Sequence, residues 1–467
     1  MRSKSKFVNS MRQKDALTYN LARTHSTSLN SVVDLFFIAG ASRTMPHSDI
    51  FKMLEKSWVE DKLSTLKVIF WAGDIRGGAG ERRFFRLALN WLEDKDLNTL
   101  LLNLYLVPEY NRWDSLFQLD TTQVMELIKE ALYEKENGLC AKWMPRKKQY
   151  DNFANRFRNY MEINHKTYRD LIVKLSNTVE QKMCAREFKA IEYKKVPSCA
   201  MNKYRTAFYK KDESRFSLFL EKVEKGEEKI HAGAIFPYQI YKSYHAGAEK
   251  KSIIAQWKAL PDYMADTEER IIPVCDVSGS MTMNDGLPMA ISVSLGIYLS
   301  ERNRSIFKDA FITFSGYPKM QYLKGDLISR IKQLEKADWD MNTDLNKVFE
   351  LILGRAVEDK LKEKDMPSTI LIISDMEFDR CGSLTNFENI ENKYSKAGYK
   401  IPKVVFWNVS GRSGNVPVSY DKSGVALVSG ASPSIIKAIL SGKDFTPQGI
   451  MLETIENKRY DAIKLAK

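Results

Sequence analysis

An apolar run that breaks off into Asp-x-Ser-Gly-Ser constrains this chain more than any other stretch. Ile271-Ile272-Pro273-Val274-Cys275 carries no polar side chain, which marks a strand buried on both faces, as inside a parallel sheet. Asp276-Val277-Ser278-Gly279-Ser280-Met281 follows at once, and a long amphipathic segment comes after it. The polar cluster therefore sits just past the C-terminal end of a strand, where open α/β sheets place their ligands. One carboxylate and two hydroxyls on a turn that Gly279 permits are hard oxygen donors suited to Mg²⁺.

Two further segments carry matching chemistry. Thr343 lies in Trp339-Asp340-Met341-Asn342-Thr343-Asp344, just before a helical pattern, and Asp375 ends a second apolar run, Thr369-Ile370-Leu371-Ile372-Ile373-Ser374-Asp375. Each residue alone has a plainer role. Asp276 can simply end a strand, Ser278 and Ser280 can be turn or cap residues, Thr343 can cap the next helix, and Asp375 can be a loop carboxylate. Taken together, their order and spacing resemble the von Willebrand factor A domain with its metal-ion-dependent adhesion site. That resemblance implies one cation held by Asp276, Ser278, Ser280, Thr343 and Asp375. Met376 departs from the Gly that many such domains have after the last Asp, and Asp379 is a further carboxylate that can face the site.

Strand and helix patterns alternate from Ile271 onward. Strands are expected near Ile271–Cys275, Ala310–Phe314, Thr369–Ser374, Lys403–Val409 and Val425–Val428. Helices are expected near Pro288–Arg302, Gly325–Leu334, Asp344–Gly354, Asn386–Lys396 and Pro433–Leu440. Such alternation predicts a doubly wound, Rossmann-like α/β sheet. Before Pro261 the apolar spacing is helical instead: Phe216, Phe219, Leu220 and Val223 lie on one face, as do Val124, Leu127, Ile128, Ala131 and Leu132. Breakers such as Gly40, Pro46, Pro108, Gly138, Pro145, Pro197, Gly226 and Pro237 cut this half into about ten or more helices of ordinary length. The class is thus α plus α/β. Residues 1–30 are expected to form an N-terminal arm, loose around Ser26–Ser31. Residues 31–260 form the helical domain, 270–445 the A-like domain, and 446–467 a C-terminal helix, about Gln448–Lys464, that packs back on the helices.

Charge separates the halves. The chain of 467 residues has net charge +13, and up to Arg270 it holds 46 Lys and Arg against 35 Asp and Glu. The basic excess of the first half favours an anionic partner, nucleic acid before a membrane surface. Basic residues interleave with aromatics from Lys142 to Lys211: Lys142-Trp143-Met144-Pro145-Arg146-Lys147-Lys148-Gln149-Tyr150, Arg156-Phe157-Arg158, Tyr193-Lys194-Lys195, Lys203-Tyr204-Arg205 and Phe208-Tyr209-Lys210-Lys211. Cations hold phosphates, and aromatic faces stack on unpaired bases. The plainer reading places the aromatics in a core and the cations in water. The candidate RNA-contacting residues are Arg76, Lys142, Arg146, Lys147, Lys148, Arg156, Arg158, Lys194, Lys195, Lys203 and Arg205.

Other classes fall away on the residues themselves. The loop Ala72-Gly73-Asp74-Ile75-Arg76-Gly77-Gly78-Ala79-Gly80-Glu81-Arg82-Arg83 lacks the preceding strand and the Gly-Lys-Ser/Thr ending of a nucleotide-phosphate loop, and reads as a tight helix–helix turn. Its arginines remain available to phosphate. Only five histidines occur, with no His-Glu-x-x-His and no Gly-x-Ser-x-Gly, so no hydrolase is expected. The five cysteines, Cys140, Cys184, Cys199, Cys275 and Cys381, are sparse and unpatterned, which suits reduced thiols in a cytoplasm. No signal-peptide core or membrane-length apolar run is present.

A mostly helical half followed by an A domain resembles the Ro/TROVE ribonucleoproteins, and more closely a TROVE-related family of plants, fungi and phages. The likeness rests on Ser31-Val32-Val33-Asp34-Leu35-Phe36-Phe37, Asp74-Ile75-Arg76-Gly77-Gly78-Ala79-Gly80-Glu81-Arg82, Val107-Pro108-Glu109-Tyr110-Asn111-Arg112-Trp113-Asp114, Ala141-Lys142-Trp143-Met144-Pro145, Tyr168-Arg169-Asp170-Leu171 and Ile191-Glu192-Tyr193-Lys194-Lys195-Val196-Pro197-Ser198. It implies a HEAT-like helical repeat domain, closed by the A domain in Ro proteins. It also implies binding of small structured RNA or single-stranded RNA ends, a Mg²⁺ site, and a protein partner able to offer an acidic side chain to the metal. The rival expectation is a protein-assembly module that grips a partner carboxylate without RNA.

Overall fold

The computed structural model describes residues 15–146, 151–314, 317–337, 344–379 and 386–467. It opens on a small antiparallel hairpin, β1 (Ala16–Leu17) and β2 (Arg23–Thr24). Helices then fill the chain to Lys258. The first is α1 (Ser31–Ala39), with only Ser31 and Asp34 polar and seven of its nine residues buried; Asn30 Oδ1 caps it by accepting from the backbone N–H groups of Val32 and Val33. Against it pack α2 (His47–Glu60) and α3 (Lys62–Gly73), and α4 (Arg82–Lys95) packs in turn on those two. Farther along the chain, α5 (Ser198–Lys211), α6 (Glu213–Glu224), α7 (Pro237–His245) and α8 (Lys250–Lys258) complete the helical half.

The second half is a six-stranded sheet. Its strands are β3 (Ile271–Cys275), β4 (Ala310–Thr313), β5 (Met320–Tyr322), β6 (Thr369–Ser374), β7 (Lys403–Asn408) and β8 (Val425–Ser429), in the order β5-β4-β3-β6-β7-β8. Every pair is parallel except β4 with β5. Five strands fall where continuous apolar runs predict them. β5 was not foreseen: it has three residues, two of them exposed, and no apolar pattern to betray it. The chain leaves β3 for β4 on one side and returns to β6 on the other, so the order reverses between β3 and β6. A crevice forms beyond their C-terminal ends at such a switch point. Cys275 pairs with Ile373, which brings Asp276 and Asp375 out at that same end.

The helix over β3, α9 (Met283–Arg302), starts with three left-handed residues, Asn284, Asp285 and Gly286, and winds regularly only afterwards, close to the expected start at Pro288. It seats tightly because Gly296 has no side chain: a Cβ there would meet Cys275 Sγ at 2.2 Å. A similar close approach joins the halves. Gly40, just past α1, lies so near β8 that a Cβ would meet the Ser429 carbonyl oxygen at 2.7 Å, and Ser429 Oγ donates to Phe36 O at 2.8 Å. One apolar core therefore runs from Ala22 to Ile463 through both halves, with a smaller second core around Tyr193, Phe208, Phe216 and Phe219.

Both ends of the described chain are built into this core. Residues 26–30, expected to be loose, are tied down. Asp34 accepts from Ser28 N–H at 2.7 Å, and Tyr420 N–H donates to Ser28 O at 2.9 Å, so the small polar side chains serve as capping and bridging groups. At the other end, α10 (Pro447–Ile455) is shorter than the periodicity suggests, and Asn457 starts a short turn at Lys458–Tyr460. The reason is Asp74, which is fully buried at the end of α3. The Arg459 guanidinium grips its carboxylate, with Nη2 at 2.7 Å from Oδ1, and Tyr460 Oη donates to Oδ2 at 3.0 Å. Beyond it, Lys464 N–H donates to Asn103 Oδ1 and Ala466 N–H to Thr99 Oγ1, both at 3.0 Å. The Gly-rich loop is thus the α3–α4 turn, and Asp74 receives the C-terminal segment.

Removing one partner of a buried ion pair strands the other charge, which costs about 3 kcal/mol or more. Arg459→Ala is expected to lower unfolding free energy in urea by that amount. A change below about 1 kcal/mol would show that Asp74 finds another partner.

Candidate functional site

Asp276 leaves β3 fully buried. Its N–H continues the β3–β6 ladder by donating to Ile373 O at 3.0 Å. Its carboxylate accepts from Ser278 N–H (2.9 Å) and from Ser374 Oγ (2.6 Å). The turn these bonds enforce sets Ser278 Oγ and Ser280 Oγ 3.1 Å apart. Across the crevice, Asp375 is also buried. Its Oδ1 accepts from Glu377 N–H at 3.3 Å, while Oδ2 is buried with no hydrogen-bond partner. Burial, and then the charge of Asp375, push the Asp276 carboxyl up from its ordinary pKa. Two facing buried carboxylates, one with an unpartnered oxygen, and two hydroxyls suit a hard cation. Among the described residues no three His, Cys, Asp or Glu side chains gather as a metal site, so a cation here depends on the hydroxyls.

Thr343 lies outside the described residues. The helix after it, Leu345–Glu358, is capped by Asp344, whose Oδ1 accepts from Asn346 and Lys347 N–H. Met376 occupies a left-handed conformation (φ 66°), a backbone form that Gly adopts freely. Asp379 does not stand alone beside the site: its backbone bridges to Leu21 of the N-terminal hairpin. That hairpin straps over the loop after β6. Thr18 Oγ1 donates to Phe378 O at 2.7 Å, and Tyr19 N–H to Glu377 Oε2 at 2.5 Å. Sequence reasoning missed Glu377, which is buried and paired with Arg412 at 3.2 Å. A carboxylate between Met376 and Phe378, two residues past Asp375, was the available signal.

The basic candidates divide. Arg146 and Arg158 come together, with His165 and Arg169, around a groove of about 540 Å³ between the helices Asp151–Tyr160 and His165–Leu175. Among the described residues that line it, none is acidic. Among the described residues Arg146 and Arg158 bond the neutral Ser176 and Asn155 side chains and no carboxylate. Sequence reasoning missed His165 and Arg169. Lys147 and Lys148 lie outside the described residues. Lys142 and Lys195 line a different groove of about 580 Å³, but Glu180 and Glu192 share it; Lys142 pairs with Glu180 at 3.4 Å and Lys195 with Glu192 at 2.8 Å. Lys194 faces Glu228 at 3.8 Å, and Arg156 pairs with Asp120 at 2.8 Å. Arg76 is exposed and reaches Glu109 O, and Lys203 is exposed beside the Tyr204 ring.

Arg205 is a correction. It is fully buried between α5 and α8, where its guanidinium donates to Ser252 Oγ (3.3 Å), Asn202 Oδ1 (2.7 Å) and Gln256 Oε1. Burial pulls its pKa down to about 10. It is an internal polar tie and leaves the candidate surface. The interleaved aromatics Phe157, Tyr193 and Phe208 are likewise buried in the cores. Their spacing served packing, the plainer of the two readings.

A family model described as a domain of unknown function, DUF2828, matches residues 18–112 and 114–269, and another domain of unknown function, DUF7788, matches 270–465. An uncharacterized protein, L728, of Acanthamoeba polyphaga mimivirus is 28% identical over 504 residues, covering 94% of this chain and 87% of that one. Among solved structures, the crystal structure of the Deinococcus radiodurans RO (RSR) protein aligns with a TM-score of 0.39 at 13% identity, over 95% of this chain and 96% of that one. No helix among the described residues is long and apolar enough to cross a membrane.

Arg205→Ala is expected to destabilise the fold by about 2–3 kcal/mol, since it empties a buried site and unpairs Gln256 and Ser252. Urea denaturation checks this; a loss under about 0.5 kcal/mol would place the guanidinium at the surface.

Proposed function

The chain belongs to the family whose domain of unknown function, DUF2828, spans more than half of it, and we propose that it is an RNA-binding protein with a Mg²⁺-dependent A-like domain. The observation that carries the RNA reading is the groove of Arg146, Arg158, His165 and Arg169, with no acid among the described residues of its lining. Three permanent cations on a concave surface attract a phosphate backbone, and guanidinium planes match phosphate oxygens pairwise. Tyr168, the aromatic in the lining, is buried. The groove in this reading therefore tracks the backbone of a single-stranded or structured RNA rather than stacking its bases. The helical half acts as a HEAT-like array that presents this surface.

In the same reading, the β3/β6 crevice is a metal-ion-dependent adhesion site. Ser278, Ser280 and Asp375 Oδ2 would hold the cation, with Asp276 and Thr343 completing the set. The unpartnered, buried Asp375 oxygen supports it. When bound, the cation supplies positive charge for an acidic side chain of a partner; this chain's own residues hold it and perform no catalytic step.

Arg146→Glu with Arg158→Glu is expected to weaken binding of a single-stranded RNA at least tenfold. The slope of log affinity against log salt should become shallower by about 1–2, at roughly 0.7 per phosphate contact. Unchanged affinity and slope in anisotropy titrations would remove the groove. For the metal, Asp375→Asn is expected to abolish Mg²⁺ binding in calorimetry while circular dichroism stays unchanged. Undiminished binding would contradict the site.

A further inference from the structure

We propose that β5 is a docking edge for a second copy of this chain, the two β5 strands pairing antiparallel about a two-fold axis at Gln321. β5 is outermost in its sheet, and among the described residues no strand lies beyond it. Its backbone is engaged on one side. Thr313 N–H donates to Lys319 O at 3.2 Å and Leu323 N–H to Asp309 O at 2.8 Å, with Phe311 facing Gln321 between them. Lys319, Gln321 and Leu323 therefore turn their backbone groups toward β4, and Met320 and Tyr322, one residue out of step, turn theirs away from it. Ala310, opposite Tyr322, uses its own groups elsewhere: its N–H donates to Phe307 O and its carbonyl accepts from Ser300 Oγ. The outer edge thus offers the N–H and C=O of Met320 and of Tyr322.

The edge is closed at both ends. Pro318 has no N–H to give. The N–H of Lys324 donates to Gln333 Oε1 at 3.0 Å, and its carbonyl accepts from Gln333 Nε2 at 2.6 Å. What remains between them matches a copy of itself. In an antiparallel pair centred on Gln321, Met320 stands against Tyr322 of the second copy, and each such pair exchanges both N–H···O bonds. Every outward group of one strand so meets one of the other. The side chains agree: Met320 and Tyr322 are 44% and 50% exposed, and methionine sulfur packs well against an aromatic ring. Edges of natural sheets are guarded by charge, and the charges here stand outside the paired residues. Lys319 faces Leu323 of the second copy and Lys324 faces Pro318, so no like charges lie directly opposite. The two Lys319 positions are about 14 Å apart along the strands, more than the screening length of ~8 Å at physiological salt. A strand of three residues makes a small interface, so the dimer is weak and follows concentration.

Sedimentation equilibrium of the full chain tests this, after ribonuclease treatment and in high salt so that RNA cannot bridge the copies. A monomer–dimer equilibrium is expected. Met320→Pro removes an N–H that β4 does not use, a change an edge strand tolerates, and is expected to weaken the dimer at least about tenfold while circular dichroism stays unchanged. Two charged variants probe the register. Met320→Lys with Tyr322→Lys, and Met320→Glu with Tyr322→Glu, are each expected to be monomeric alone and to pair when mixed. Under mild oxidation Gln321→Cys is expected to form a disulfide-linked dimer, because Cα atoms across a pair that shares no hydrogen bonds lie about 4.5 Å apart. Lys319→Cys is expected to add no linkage beyond that of the unsubstituted chain, which has exposed Cys184 and Cys199. A chain that stays monomeric to its solubility limit overturns the proposal and leaves the edge to a strand of another protein. A dimer that survives Met320→Pro, one that Gln321→Cys does not link, or charged variants that stay apart when mixed overturn it as well.

Discussion

A carboxylate with no exposure to water has to be neutralised, and Asp74 is such a group. It stands at the end of α3, inside the Gly-rich turn, and the chain answers it from almost 400 residues away with Arg459 and Tyr460. Tyr110 joins the same cluster through the Arg459 carbonyl. The consequence reaches beyond local stability. With Arg459 fixed on α3, the segment after α10 runs along the helical half, and α10 itself packs on β8. Together with the Gly40–Ser429 approach, this closes the sheet against the helices. The basic surface and the β3/β6 crevice therefore stand on one continuous apolar core.

Much of the sheet was legible because buried parallel strands leave unbroken apolar runs, and β3, β4, β6, β7 and β8 have them. What stayed hidden depends on partners far away in sequence. The β1–β2 hairpin and β5 are short and partly exposed, and their pairing is set by Glu377, Phe378 and Ala310–Ile312. No periodicity reports such bonds. The carboxylates of the crevice were legible in their placement: polar residues that end apolar strands pairing in parallel come out at one end of the sheet.

The cationic surface was legible in composition but not residue by residue. Arg205 reads like its neighbours Lys203 and Lys210, yet it points inward, because α5 packs on α8 and Gln256 and Ser252 offer acceptors there. Phe157 and Tyr193 look like stacking platforms and are core anchors. Conversely, His165 and Arg169 lie apart from the dense basic runs and gain meaning only when two helices bring them beside Arg146 and Arg158. A net charge counts cations; which of them remain uncompensated depends on where the acids fall, and the two grooves differ in just that respect.

The central claim is that the groove of Arg146, Arg158, His165 and Arg169 holds RNA. Ultraviolet crosslinking of the full chain to a single-stranded RNA pool, followed by mass spectrometry of the joined peptides, tests it most directly. The account expects crosslinked peptides from about residues 142–173, disappearing as salt rises. Crosslinks confined to other surfaces, or none at low salt, would contradict it and leave the crevice between β3 and β6 as the protein's principal binding site.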